Sequence, residues 1–319
     1  MKTSKQELLK ESRMARFHPE ILEKVWWLFE ILEEISHHPF LQNRVALKGG
    51  TALNLFYFNV PRLSVDIDLN YIGSTERSEM LLERPMLEKA LEAVFSKIGI
   101  VTHRIPKKHA GGKWQLKYPS HLNAQGNLEV DLNYMFRLPI YELERKDSQL
   151  VVGHIAKNVL LMNYQEIVAG KLTALLAREA SRDLFDSYNL LLNDNLNFNQ
   201  LRLILCVYGA MSSIDFRTIS PDNIAFERKE LSQKLIPVLR IDQQQWKNSA
   251  SFYVERCREK LGNILPFVGQ ERKFLDCLYG EGKIDASLLT QDPDLIERIQ
   301  NQPLLKWKAY LALKNQPVS

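Results

Sequence analysis

Leu47-Lys-Gly-Gly-Thr-Ala-Leu53 and, shortly after it, Arg62-Leu-Ser-Val-Asp-Ile-Asp-Leu-Asn70 decide the fold. The second segment alternates strictly: Leu63, Val65, Ile67 and Leu69 on one side, Ser64, Asp66, Asp68 and Asn70 on the other. That period predicts a half-buried strand over 63–70. Gly49 and Gly50 allow a tight turn and close backbone approach. A helix from Thr51 to Phe58 then aims amide N–H groups at that turn, a setting suited to phosphate. Asp66 and Asp68 lie on one face of the strand, about 6.6 Å apart at Cα. Carboxylates so spaced can share Mg²⁺ ions about 3.5–4 Å apart, as two-metal phosphoryl transfer requires.

Alternation also describes a plain surface strand with a polar outer face. Asp is depleted in strands, however, and like charges on one face repel. A cation gives two of them a reason to be there. A further strand, Asn127-Leu-Glu-Val-Asp-Leu-Asn133, offers the third carboxylate. Asp131 is preferred to Glu129 because it sits mid-strand between Val130 and Leu132; it would take a proton from an attacking hydroxyl or complete a second metal site.

Around this stretch, the chain divides by period. The first half reads as a helix over 18–41 with Pro19 in its first turn, a short strand at 45–47, a helix over 75–97 and strands near 98–105, 113–118, 127–135 and 159–162. From Tyr164 onward nearly everything has helical period. Period alone predicts strands and helices mixed in the first half and an all-helical second half, with the boundary near 160.

Composition fits this. Among 319 residues, 45% are hydrophobic and 25% charged, which excludes a disordered or collagen-like chain. Three cysteines, none in a Cys-x-x-Cys pair, exclude a disulfide framework and point to a reducing cytoplasm. No run is long and apolar enough for a membrane span, and no phosphate-loop, dinucleotide or nucleophile-elbow motif occurs. A net charge of +4 alone does not indicate nucleic acid.

A second polar cluster lies in 164–186. Read as one helix at about 100° per residue, Lys171, Arg178, Arg182 and Asp186 share a face. Asp183 lies off that face unless the helix breaks near Ser181. A cationic stripe would offset charge building on a triphosphate, with Lys171 as the main contact. Asp186 would orient Lys171 or Arg182, or touch the nucleotide. The plain alternative is a solvated face with pairs such as Arg182–Asp186, worth a few tenths of a kcal/mol. A third feature is the lack of any Asp or Glu between Ala93 and Leu128. Arg104, Lys107, Lys108, Lys113 and Lys117, with Trp114 and Tyr118 among them, form a candidate RNA-binding stretch. A solvated hairpin with Trp114 in the core explains it equally well.

Gly49-Gly-Thr-Ala-Leu53, Arg62-x-Ser-x-Asp-x-Asp-Leu69, Glu166-x-x-x-x-Lys171 and Arg182-Asp-Leu-Phe-Asp186 together resemble the AbiEii/AbiGii-type nucleotidyltransferase toxins of the DNA polymerase β-like superfamily. The resemblance is strong over 45–72 and 164–188 and uninformative beyond about 200. It implies an α+β fold, with a minimal nucleotidyltransferase mixed sheet flanked by helices (1–160) and then an all-helical domain (161–319) that completes the active site. It also implies an Mg²⁺-dependent enzyme (Mn²⁺ as the alternative ion) that moves an NMP from an NTP onto an acceptor, tRNA first, as the toxin of a bacterial toxin–antitoxin or phage-defence system. Asp66, Asp68 and Asp131 would bind metal. Gly49, Gly50, Thr51, Arg62, Ser64 and Arg182 would bind nucleotide, and Lys171 and Asp186 would join the catalytic set. A cognate antitoxin becomes an expected partner. The rival readings are transfer to a small molecule or a protein hydroxyl, and a non-catalytic NTP- or RNA-binding module.

Overall fold

The computed structural model describes residues 4–105, 110–192, 196–243 and 245–314. The chain forms two compact units: 1–137, 143–162 and 236–246 make the first; 138–142, 163–235 and 247–319 make the second.

In the first unit, α1 (Lys5–Ala15) starts at a capping box, in which Ser4 and Glu7 satisfy each other's backbone N–H groups. α2 (Pro19–His37) starts at a proline and buries Trp26, Leu28, Phe29 and Leu32. β1 (Val45–Lys48) runs into a helical segment, α3 (Gly49–Ala52), which widens to a π-helix over Leu53–Tyr57. Then come β2 (Asp66–Tyr71), α4 (Arg77–Lys97), β3 (Val101–Arg104), β4 (Gly111–Tyr118), β5 (Gly126–Asn133), β6 (Glu144–Lys146) and β7 (Val159–Leu161).

These strands form one mixed sheet in the order β3-β4-β5-β2-β1-β7-β6. β2 is central. It pairs antiparallel with β1 and parallel with β5, and β1 also pairs parallel with β7. Alternation sorts the faces: Ile67, Leu69, Trp114, Leu116, Leu128, Val130 and Leu132 are buried. The polar alternates of β2 and β5 look the other way. Residues 236–246 return to this unit. The Leu63 N–H donates to the Val238 carbonyl at 2.9 Å, and Arg62 forms an isolated bridge with Leu239. Nothing in the local sequence period foretells that pairing.

The second unit contains α5 (Tyr164–Ala177), α6 (Ser181–Leu191), α7 (Phe198–Met211), α8 (Arg228–Glu230), α9 (Trp246–Leu261, from Lys247 on), α10 (Gly269–Asp276), α11 (Pro293–Gln300) and α12 (Pro303–Lys314). No helix among the described residues is long and apolar enough to cross a membrane. α5 and α6 are two helices, not one: Arg178 is extended (φ −152°, ψ 153°) and a new helix starts at Ser181. The shared face of Lys171, Arg178, Arg182 and Asp186 expected from a single helix therefore does not form.

Residues 138–142 are bound into this unit by side chains. The buried Glu166 carboxylate accepts from the N–H groups of Ile140 and Tyr141, each at 3.0 Å, and from the Tyr208 hydroxyl at 2.9 Å. Arg298 donates to the Ile140 carbonyl at 3.2 Å, and Gln302 to the Leu138 carbonyl at 2.8 Å. Burial pushes the Glu166 carboxyl up to about 7, although its three donors and Arg298 act in the other direction.

A raised acid binds its proton more tightly when folded. Its contribution is full below about pH 4.5 and is lost as pH rises through about 7. Glu166→Gln should remove that dependence. We expect wild type to lose about 2–3 kcal/mol relative to the variant between those limits, by denaturant unfolding across pH. Parallel curves would refute the shifted carboxyl.

Candidate active site

The site is built on the polar face of β2 and its neighbours. Register places Lys48 opposite Asp68, Asp68 opposite Asp131, and Asp131 opposite Lys113. One row across β1, β2, β5 and β4 thus reads Lys-Asp-Asp-Lys, with strand spacings of about 4.8 Å. In the next row Asp66 lies opposite Glu129, which in turn faces Gln115. Asp66, Asp68, Glu129 and Asp131 are all half-buried.

Burial raises the Asp131 carboxyl above its ordinary range, and the Asp68 charge adds to this; Lys48 and Lys113 oppose it. Lys113 donates to Glu129 Oε2 at 2.6 Å. That bond shifts Lys113 upward and outweighs its partial burial, with further attraction from Asp66 and Asp131.

The Gly-Gly turn is pressed onto this row. Gly49 has φ +71°, and a Cβ there would overlap Asp68 Oδ2. A Cβ on Gly50 would stand 2.8 Å from Arg62 Nη2 and 3.1 Å from Ser64 Oγ. The helix therefore starts at Gly49, two residues before the expected Thr51, and no side chain caps it. Arg62 is 2% exposed, and its Nη1 donates to the Leu63 carbonyl at 3.1 Å. Thr51 is fully buried and its hydroxyl donates to the Asp66 carbonyl, so it fastens the start of β2. Ser64 is buried beside Gly50.

The structure thus brings together Gly49, Gly50, Thr51, Arg62, Ser64, Asp66, Asp68 and Asp131. It adds Lys48, which motif reading did not single out, and Glu129, weighed from sequence only as the lesser alternative to Asp131. Register brings both to the row. The donor chemistry fits a divalent cation: carboxylate oxygens only, with like charges opposed across two strands. Among the described residues, no group of three or more His, Cys, Asp or Glu is arranged to hold a metal ion. Such a cation would take one or two carboxylates and complete its shell with substrate phosphates, the habit of Mg²⁺.

The second unit holds its own polar cluster. Lys171 Nζ lies 3.0 Å from Asp183 Oδ1 and 3.0 Å from Asp186 Oδ2. Arg178 Nε lies 2.5 Å from Asp183 Oδ2. Lys171 and both aspartates are buried, while Arg178 is exposed and Arg182 half-buried. Burial pushes the Asp183 carboxyl up, but Lys171 and Arg178 together outweigh it and hold it below the ordinary range. The break after Ala177 is what lets Asp183 reach Lys171 alongside Asp186.

The basic stretch divides. Lys107 and Lys108 lie outside the described residues. Arg104 is exposed on β3, at the sheet edge, and Lys117 is half-buried on β4. Lys113 belongs to the carboxylate row. Trp114 and Tyr118 are core residues at 0% and 2% exposure, so they do not present rings to bases.

The family model described as nucleotidyl transferase AbiEii toxin, type IV TA system, matches residues 30–256. No curated protein matches the chain. Among solved structures, the chain is similar to MenT4, a nucleotidyltransferase toxin from Mycobacterium tuberculosis. The two are 15% identical, the match covers 94% of this chain and 98% of that one, and the TM-score is 0.62; the likeness is one of fold.

Two substitutions probe these clusters. Gly49→Ala forces a side chain onto Asp68 at a positive φ, and should cost about 1–3 kcal/mol of stability. An unchanged denaturation midpoint would show that the turn is not confined as described. Lys171→Met leaves two buried carboxylates short of their shared cation and should cost about 3–5 kcal/mol. Urea unfolding measures it, and a loss under 1 kcal/mol would mean that the cluster reorganises or takes up protons at little cost.

Proposed function

The chain belongs to the AbiEii family of nucleotidyltransferase toxins of type IV toxin–antitoxin systems, and on that premise we propose that it moves an NMP from an NTP onto an RNA hydroxyl, with tRNA as the acceptor. The observation that carries the chemistry is the Gly49–Gly50 turn lying directly on Asp68, which itself faces Asp131. A triphosphate held by the backbone of that turn would lie beside the carboxylates.

In this reading the acceptor oxygen attacks the α-phosphorus. The bond from that phosphorus to the α–β bridging oxygen breaks, and pyrophosphate leaves. Asp66 and Asp68 would hold a divalent cation, Mg²⁺ in the cell, which would supply charge neutralisation on the phosphates. Asp131, whose carboxyl is raised by burial and by Asp68, accepts the hydroxyl proton. The guanidinium of Arg62 and the hydroxyl of Ser64, both against Gly50, orient the phosphates. Lys171, Arg182 and Asp186 keep the nucleotide role expected of them as part of the proposal. Tests of that role must be read against the unfolding measurement above.

The RNA acceptor rests on Arg104 at the sheet edge and on the acid-free run from Ala93 to Leu128. A cognate antitoxin is the partner that family membership implies.

The test is to incubate the protein with Mg²⁺, total bacterial tRNA and each α-labelled NTP in turn, beside Asp68→Asn. Label should enter RNA from one or two NTPs and fall by about a hundredfold or more in the variant. Label in protein or in a small molecule would move the acceptor to the rival enzyme readings. NTP binding without any transfer would leave a binding module.

A further inference from the structure

The two lysines that bracket the carboxylate row are not equivalent. Lys48 lies at the end of β1 with its Nζ 5.9 Å from the centre of the Phe136 ring. Lys113 instead has a dedicated partner, Glu129 Oε2, at 2.6 Å. Glu129 is on the same face of β5 as Asp131, and Lys113 lies directly across from Asp131 on β4. The lysine therefore reaches diagonally to Glu129 although Asp131 is its strand partner.

Both members of the pair are open to solvent, with side chains 51% and 38% exposed. An exposed pair of this kind holds weakly and exchanges readily. Lys113 is also attracted by Asp66 and Asp131. A divalent cation arriving at the row would therefore compete with an ammonium group already drawn by Asp66 and Asp131.

We propose that Lys113 is a built-in counter-ion of the carboxylate row and that Glu129 is its tether. Together they set how tightly the site takes its divalent cation. Lys113 shields the row when no cation is present, and Glu129 keeps the ammonium off Asp131 so that the cation can enter. Both are positioning residues. The inference rests on the reading of Asp66 and Asp68 as the cation's ligands, with Asp131 beside them in the row.

The experiment is Mn²⁺ binding to the full chain, followed by the EPR signal of the free ion, with no nucleotide and no turnover. Lys113→Met should tighten Mn²⁺ binding roughly fivefold by removing a competing charge. Glu129→Gln should weaken it roughly fivefold, because the released lysine moves onto Asp131 and Asp66. In the double variant the Glu129→Gln effect should shrink below about twofold, since its agent is gone. Lys117→Met, on the same face of β4 but beyond this row, should change binding by less than about twofold.

Additive effects of Lys113→Met and Glu129→Gln, or an equal effect of Lys117→Met, would overturn the tether and leave general surface charge. Mn²⁺ binding that is absent in wild type, or that survives Asp68→Asn, would overturn the reading of the row itself and the inference with it. That failure is visible separately, because it does not involve Lys113.

Discussion

The rest of the first unit is arranged around a repulsion. Parallel pairing of β2 and β5 sets Asp68 against Asp131, with Asp66 and Glu129 in the next row. Like charges opposed on one sheet face cost stability unless something answers them. In the protein alone the answer is Lys48 on one side and Lys113 on the other. The Gly49–Gly50 turn comes closer to Asp68 than any side chain would permit. Arg62 and Ser64, packed on Gly50, and Thr51, bonded to the Asp66 backbone, keep the turn and the strand in one alignment. A sheet built for stability alone has no need of this arrangement. The cation and phosphate binding proposed for it would call for such an arrangement.

The second unit solves a related problem by opposite means. Lys171, Asp183 and Asp186 are enclosed, so their charges balance by direct contact at 3.0 Å with little solvent between them. Glu166 is enclosed too, with no lysine or arginine bonded to its carboxylate among the described residues, and is satisfied by two backbone N–H groups and a hydroxyl. The difference in cost is the difference between screened and buried charge. Exposed Lys113 can change partners, whereas Lys171 cannot leave without destabilising its unit.

Much of this was legible in the sequence, because much of it is local. The alternation of Leu63–Asn70 places Asp66 and Asp68 on one face, and Gly49-Gly50 marks a close approach. The alternation of Asn127–Asn133 likewise puts Glu129 and Asp131 on one face, and they lie opposite Asp66 and Asp68. The α+β order and the helical run after Tyr164 follow from period. What escaped is what period does not encode. The helix break at Arg178, admitted from sequence only as an alternative near Ser181, falls in Leu175–Ala180, a run of good helix formers without Gly or Pro. Lys113 looked like part of a basic stretch, because only the β4–β5 register turns it toward Asp131. Trp114 and Tyr118 satisfied the composition of a stacking surface, yet the same residues alternate into the core.

The return of residues 236–246 to the first unit bears on how the chain is made. The stretch that leads into β2 takes part of its support from Val238 and Leu239. A ribosome delivers those residues only after α5, α6 and α7 have been synthesised. Until they emerge from the exit tunnel, the nascent polypeptide carries the Gly-Gly turn and all its aspartates but lacks the backbone partner of Leu63. A translation product that stops short of residue 236 therefore has every motif of the site and an unfinished floor beneath it.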